Sequence, residues 1–232
     1  MILPFNDEEE KIYVANLAKA NKELQELYDL EGSDKMQILK LLTRLRQLCL
    51  EPRLVYDNID QPSSKLKACM ELIKTMQENK QKVLLFSSFT SVLDLIAEEC
   101  QKAGITYYML TGSTNKEDRR ELVSRFQKDD TTLFLISLKA GGTGLNLTSA
   151  EVVIHFDPWW NVSAQNQATD RAYRIGQKNN VQVFNLVMKD SVEEKIIELQ
   201  KRKKELADMF VENNSGGLSQ MSKEDILSLF TM

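Results

Sequence analysis

The stretch VLLFSSFTSVLDLIAEECQKAGITYYMLTGSTNKEDRRELVSRFQKDDTTLFLI, residues 83–136, alternates short apolar runs with longer amphipathic segments. VLLF (83–86), YYML (107–110) and TLFLI (132–136) read as strands, and residues 91–104 and 115–127 between them read as helices. Strands that are apolar throughout, rather than at every second position, are covered on both faces. The alternation therefore predicts an α/β fold, a parallel sheet with helices on both faces. It continues downstream with VVIHF at 152–156, a helix over the segment 167–177, VQVFNLV at 181–187 and a long helix from 191 to about 210. Strand order does not follow from the sequence.

Upstream the chain is helical. Residues 6–31 carry many charges at helical period, with Asn6 or Asp7 as the N-cap, and Gly32 and Ser33 end the run. A second helix, 34–50, sets Met36, Leu39, Leu42, Leu45 and Cys49 on one side. The loop EPRLVYDNIDQPSS (51–64) holds Pro52 and Pro62, which discourage helix. Ser64 is expected to cap a third helix to about residue 79, with Leu66, Met70, Ile73 and Met76 as its stripe. At the other end, ENNSGGLSQMSKEDILSLF (212–230) reads as a hinge and a short helix capped by Ser222, docking through Ile226, Leu227 and Phe230. The expected organisation is a helical extension and linker at 1–62, an α/β lobe at 63–190, and a C-terminal brace helix with hinge and terminal helix at 191–232.

Length allows one domain plus an extension, and the formal net charge of −4 means that any nucleic-acid contact must be a local groove. Cys49, Cys69 and Cys100 are isolated, with no CxxC and no histidine cluster, so neither a zinc site nor a disulfide framework is expected. No apolar run reaches membrane-spanning length, and the N-terminus lacks a signal-peptide pattern. The opening residues MILPFNDEEE read as an internal boundary, so the chain is expected to be an excised fragment.

In open α/β sheets, ligands collect beyond the carboxyl ends of the strands. Three loops sit there. SSFTS (87–91) offers the hydroxyls of Ser87 and Ser88 and backbone N–H groups to a phosphate, although Ser88, Thr90 or Ser91 could instead cap the next helix. LTGSTNKEDRR (110–120) offers Thr111, Ser113 and a turn at Gly112, followed by a helix whose positive end points the same way. There Asn115 or Thr114 as an N-cap is the competing and compatible account. SLKAGGTGLNL (137–147) has three glycines in four positions, which lets its backbone approach a ligand closely. A dinucleotide fingerprint fails there: Leu147 stands where a third glycine belongs, and no helix follows.

The segment QATDRAYRIGQ (167–177) spaces Gln167, Arg171 and Arg174 at i, i+4 and i+7, one stripe on a helix. Two planar, permanent cations side by side suit the charge that builds on a transferring γ-phosphate. Asp170 and Arg174 could also be a plain i, i+4 surface pair. Before it, DPWWN (157–161) holds adjacent tryptophans that cannot both enter a core if the backbone is extended, so one is expected at the surface. The sole histidine, His155, lies in an apolar run and reads as a strand residue, not a catalytic base. QKRKK (200–204) reads as a solvated helix face opposite Ile196, Leu199 and Leu206.

AGGTGLNL, DPWWN and DRAYRIGQ in this order resemble motifs V and VI of the superfamily-two helicase-like ATPases, specifically the SWI/SNF family of DNA translocases. The resemblance spans roughly residues 35–210 and concerns the C-terminal RecA-like lobe, so it implies a RecA-like P-loop-NTPase-type sheet. It implies arginine fingers at Arg171 and Arg174, and nucleotide contacts by Gln167, Gly142, Gly144 and Asn146. Asn146 departs from the Asp of many superfamily-two proteins, which puts a ribose contact there in doubt. For DNA it implies Ser87 and Ser88 (motif IV), Thr111 and Gly112, Ser137 and Lys139 (motif V), and the pair Trp160 and Asn161. The partners implied are double-stranded DNA and an N-terminal RecA-like lobe of the same protein. No membrane partner is implied, and the fragment is expected to be monomeric.

No GxxxxGK[ST] loop and no DExH box occurs here, so ATP would be shared with the other lobe, which would also hold Mg²⁺. No metal site is expected in this chain. The parent protein is expected to hydrolyse ATP and the isolated chain not to. Expected locations are the bacterial cytoplasm, at the nucleoid, or the nucleus of a eukaryote. The rival readings are a degenerate lobe serving as a non-enzymatic interaction module, and a lobe from another superfamily-two branch such as an RNA helicase.

Overall fold

The computed structural model describes residues 1–29, 35–141, 147–159, 165, 169, 180–209 and 223–230. In chain order its elements are β1 (Ile2–Leu3), α1 (Asp7–Asp29), α2 (Lys35–Leu50), a 3-10 turn (Pro52–Leu54), α3 (Ser64–Glu78), β2 (Val83–Ser87), α4 (Thr90–Ala103), β3 (Tyr107–Leu110), α5 (Lys116–Lys128), β4 (Leu133–Ser137), α6 (Leu138–Gly141), β5 (Val152–His155), β6 (Gln182–Asn185), β7 (Val187–Met188), α7 (Val192–Met209) and α8 (Lys223–Leu229). Two compact units result. One is Leu66–Leu186 with Met1, and the other is Ile2–Lys65 with Val187–Met232. The N-terminal helices and the C-terminal helices thus share one unit.

The first unit is the α/β lobe. Its five strands run in the order β3-β4-β2-β5-β6, and every neighbouring pair is parallel. Every residue of β2, β4 and β5 is buried, as strands covered on both faces must be. On one face Leu84, Phe86, Phe134, Ile136 and Val153 pack with Phe126 of α5 and Ala140 of α6. The alternate side chains Val83, Leu85, Leu133 and Leu135 are equally buried. α4 packs on β2 and β4 and buries Val92, Leu93, Ile96, Ala97 and Cys100, one stripe at helical spacing. It ends at Gly104, whose φ of 68° is left-handed, with its N–H donating to the Cys100 and Gln101 carbonyls. Lys82 closes the carboxyl end of α5 by donating to the Phe126 and Asp129 carbonyls.

The run 181–187, expected as one strand, is broken at Leu186. β6 is an edge strand of the large sheet with mostly exposed side chains, whereas β7 pairs with β1 through Ile2↔Val187 and Leu3↔Met188. Leu186 is buried at the break and donates its N–H to the His155 carbonyl.

In the second unit, Asn6 is the cap of α1. Its side chain accepts from the N–H groups of Glu8 and Glu9, while Glu9 accepts from Asn6 N–H, a reciprocal box. α2 buries Ile38, Leu42, Leu45 and Cys49, spaced i, i+4, i+7 and i+11, and leaves Met36 and Leu39 exposed. The expected stripe was rotated at its first turn. Ser64 is the first residue of α3 rather than its cap; its N–H is held by Glu9 and that of Ser63 by Glu51. Ile226 and Leu229 of α8 and Phe230 just after it are buried, while Leu227 is exposed. Ser222, its expected cap, lies outside the described residues.

The deepest feature of this unit is ionic. Lys65 Nζ lies 2.7 Å from both carboxylate oxygens of Glu193, and both side chains are buried. Glu193 also accepts the Met188 N–H at 2.8 Å, so the pair ties the start of α3 to β7 and to the first turn of α7. The three thiols are buried; burial pushes Cys100 up to about 12 and raises Cys49 further, leaving unreactive thiols.

Candidate functional site

The carboxyl ends of the strands bring the expected loops together. Ser87 and Ser137 are register partners at the ends of β2 and β4, and Thr111 follows Leu110, the partner of Ile136, on β3. The chain leaves β2 for β3 on one side and β5 for β6 on the other. The β2–β5 junction is therefore a switch point, where open α/β sheets hold ligands.

That junction is built around a residue that sequence reasoning passed over, Asp157. Ser87 Oγ donates to Asp157 Oδ1 at 2.7 Å, Ser88 N–H donates to the same oxygen at 3.0 Å, and Ser88 Oγ donates to Oδ2. Three donors satisfy a carboxylate that is 1 % exposed. The signal available in the sequence was a lone acid between an apolar strand and Pro-Trp-Trp. As a consequence Ser87 is fully buried and its hydroxyl faces Asp157, while Ser88 is half-buried at the rim. None of these hydroxyls caps α4: its N-cap is Phe89, with no side-chain cap bond. The alternative of serine or threonine capping at this loop is thus not what forms.

The loop after β3 is a tight turn. Thr114 Oγ1 accepts the Thr111 N–H at 3.1 Å, Thr114 N–H donates to the Thr111 carbonyl, and the hydroxyls of Thr111 and Ser113 lie 2.8 Å apart. Asn115 caps α5 by accepting from Glu117 and Asp118 N–H, and those two carboxylates occupy the first turn. They offset the positive helix end, so an anion in this loop relies on Thr111, Ser113 and backbone, not on the dipole. Gly112 is exposed without left-handed φ, and an added Cβ would meet nothing within 4 Å, so the turn itself does not require glycine.

Ser137 is buried, and its Oγ accepts the Ala140 N–H at 3.3 Å, which caps α6. Arg119 Nη1 donates to the Ala140 carbonyl at 3.0 Å and ties α5 to the start of the glycine loop. Lys139 lies on α6, but its side chain is outside the described residues. Gly142, Gly144, Asn146, Trp160, Asn161, Gln167, Arg171 and Arg174 are outside them as well.

Two residues just ahead of the arginines are described, Gln165 and Thr169, both helical. Thr169 Oγ1 lies 2.9 Å from His155 Nε2, and Gln165 Nε2 donates to Asn185 Oδ1 at 2.9 Å. Gln165 Oε1 also accepts the N–H of Trp159, which is half-buried. His155 is a buried strand residue, as expected, and burial holds its pKa down to about 4, against the opposing pull of Asp157. It is a neutral imidazole in ordinary buffers. Among the described residues no cluster of three His, Cys, Asp or Glu could hold a metal ion, and no helix is long and apolar enough to cross a membrane.

Residues 64–176 match the model of the helicase conserved C-terminal domain. The fold superposes on the C-terminal part of the Fun30 ATPase domain with a TM-score of 0.78 at 26 % identity, covering 99 % of this chain and 95 % of that one. It superposes equally on the Sulfolobus solfataricus SWI2/SNF2 ATPase core in complex with dsDNA, with a TM-score of 0.77 at 29 % identity, covering 99 % of this chain and 49 % of that one. This chain is a C-terminal helicase lobe of the SWI/SNF family. An "uncharacterized ATP-dependent helicase" of Mycoplasma pneumoniae is 38 % identical over 208 residues, 89 % of this chain and 20 % of that protein. The lobe spans about a fifth of the length of the curated relatives it matches. The α/β parallel sheet expected from the alternating strands and helices, and the RecA-like lobe implied by the resemblance, are what is observed.

Proposed function

We propose that this chain is the second motor lobe of an ATP-dependent translocase acting on double-stranded DNA. It supplies Arg171 and Arg174 to the γ-phosphate of ATP and a row of loops to one DNA strand. The observation that carries this reading is the convergence, at one sheet edge, of the Ser88 loop, the Thr111–Ser113 turn and the start of the glycine loop. The segment leading to the arginines is anchored at the same edge. A dsDNA complex among the similar structures supports the choice of partner.

In this reading the uncapped first turn of α4, shaped by the bonds of Ser88 to Asp157, and the Thr111–Ser113 turn meet backbone phosphates, with Lys139 and the pair Trp160 and Asn161 beside them. Ser87 and Ser137 act one step back: one orients the Ser88 turn through Asp157, and the other caps α6. Gln167, Gly142, Gly144 and Asn146 approach the nucleotide. A first RecA-like lobe, carried elsewhere in the protein, holds most of ATP. Mg²⁺ would sit there too, because the carboxylate at this lobe's switch point, Asp157, has both oxygens occupied by serine donors. Cleft closure brings the arginines to the γ-phosphate, and reopening after hydrolysis shifts the grip along the duplex. The chain alone binds nucleotide weakly and does not turn it over.

The test is Arg171→Ala and Arg174→Ala in the full-length protein. An arginine finger is worth about 10³ to 10⁵ in rate, whereas an exposed helix pair is worth about 0.3–0.5 kcal/mol of stability. DNA-stimulated ATPase should vanish with the melting temperature unchanged, and Arg→Lys should rescue poorly because the bidentate fork is lost. Near-normal turnover in both alanine variants would remove the motor assignment in favour of a scaffold lobe.

A further inference from the structure

His155 and Asn185 are register partners at the carboxyl ends of β5 and β6. Each holds one residue of the segment ahead of the arginines: His155 holds Thr169 and Asn185 holds Gln165, across gaps of 2.9 Å each. Gln165 and Thr169 are one helical turn apart, and Thr169 Oγ1 reaches back to the Gln165 carbonyl at 3.3 Å. Gln165 is gripped a second time, by the Trp159 N–H. Two adjacent strand ends therefore fix two successive turns of one face.

The imidazole is held at a cost. His155 Nδ1 is buried without a hydrogen-bond partner, and an orphaned polar atom costs about 1–3 kcal/mol. The ring stacks on Phe86 with centroids 5.6 Å apart, so a phenylalanine at residue 155 would satisfy the packing without the orphan. What phenylalanine could not do is bond Thr169. The tautomer protonated at Nε2 donates to Thr169 and leaves the threonine hydrogen for the Gln165 carbonyl, serving both contacts at once. Arg171 and Arg174 follow Thr169 by two and five residues in the sequence.

We infer that His155 and Asn185 are positioning residues that set the rotation of the arginine segment through Thr169 and Gln165, so that both guanidiniums are presented to ATP. This rests on the motor reading above and goes beyond it, since neither residue touches nucleotide or DNA. A mount of this kind is felt in turnover, not in ligand affinity.

The experiment compares Thr169→Val, Thr169→Ser, His155→Phe and Asn185→Ala in the full-length protein, with Arg174→Ala alongside. Turnover and KM for ATP, affinity for duplex DNA and melting temperature are read for each. Because a displacement of about 1 Å can cost about 10²-fold, Thr169→Val, which keeps shape and loses the hydroxyl, should lower DNA-stimulated kcat about 10- to 100-fold. KM, DNA affinity and melting temperature should stay near wild type, and Thr169→Ser should restore kcat. His155→Phe combined with Thr169→Val should be no slower than the slower single variant, since both remove one bond. Asn185 is exposed, so Asn185→Ala decides the matter if Thr169→Val does not fold, and its kcat should fall likewise. Wild-type kcat in Thr169→Val or, failing that, in Asn185→Ala, beside an inactive Arg174→Ala, overturns the mount and leaves the motor reading standing. An active Arg174→Ala overturns both.

Discussion

Ser87 Oγ donates to Asp157 Oδ1 across 2.7 Å, joining the end of one central strand to the loop that leaves its neighbour. Asp157 also receives two donors from Ser88, so a single buried carboxylate organises the whole turn between β2 and α4.

Asp157→Ala strands these donors, and Ser87, fully buried, has no water to turn to. Hydrogen bonds to a charged group are worth about 1.5–3 kcal/mol, so a loss of about 2–4 kcal/mol is expected after partial relaxation. Asp157→Asn keeps one acceptor and gives the rotatable serine hydroxyls a donor to accept from, so it should cost less than half as much. Urea midpoints at constant m-value measure both. An alanine variant as stable as wild type would mean that the turn holds itself without the carboxylate.

The pair Lys65 and Glu193 makes a different prediction, because there both partners are charged and buried. Lys65→Met removes the cation from a buried carboxylate that also accepts the Met188 N–H, and should cost about 3–5 kcal/mol. Replacing both by Met removes the orphan charge and should recover most of that loss. Chemical denaturation of the two singles and the double provides the cycle. Additive losses would show that the two side chains act separately.

Much of this architecture is legible in the sequence, because the strands of the lobe are buried on both faces and so appear as unbroken apolar runs. Where a segment changes role the pattern fails. VQVFNLV reads as one strand, yet an edge strand and a strand of a second sheet meet at Leu186. In the first turn of α2, Met36 and Leu39 fit the helical period as well as Ile38 does, and tertiary packing decides which is covered. Serines and threonines at the carboxyl edge are recognisable as a loop cluster. Their partners are not, since Asp157 lies 70 residues from Ser87 in sequence. The contact between Gln165 and Asn185 joins residues 20 apart, and no local sequence pattern displays it.

His155 carries a pH prediction. Its folded pKa is depressed to about 4, while the unfolded chain titrates near the ordinary 6.5. Between those values the unfolded chain binds a proton that the folded chain refuses, so stability rises with pH through this window and is flat above it. At about 1.4 kcal/mol per unit the full span is at most about 3.5 kcal/mol, lost on acidification from about pH 6.5 to 4. His155→Phe should flatten that part of the curve. Equal slopes for the two proteins across the window would assign the acid sensitivity to other groups.

DNA binding by the isolated lobe should be weak and indifferent to sequence, since the contacts proposed are to phosphates and the chain carries a net charge of −4. Salt dependence then separates the two kinds of contact. Counterion release counts cations placed on phosphates, with a slope of about −0.9 for each one neutralised in duplex DNA. Lys139→Ala should therefore weaken binding to all duplexes alike and reduce the slope of log K against log salt by about one. Thr111→Val and Ser113→Ala remove neutral hydroxyls from the turn after β3; they should weaken binding without changing the slope. Titrations of unrelated duplexes at several salt concentrations read both quantities. Base-specific, salt-insensitive binding would place the contact in the grooves rather than on the backbone. An unchanged slope for Lys139→Ala would take that lysine out of the interface.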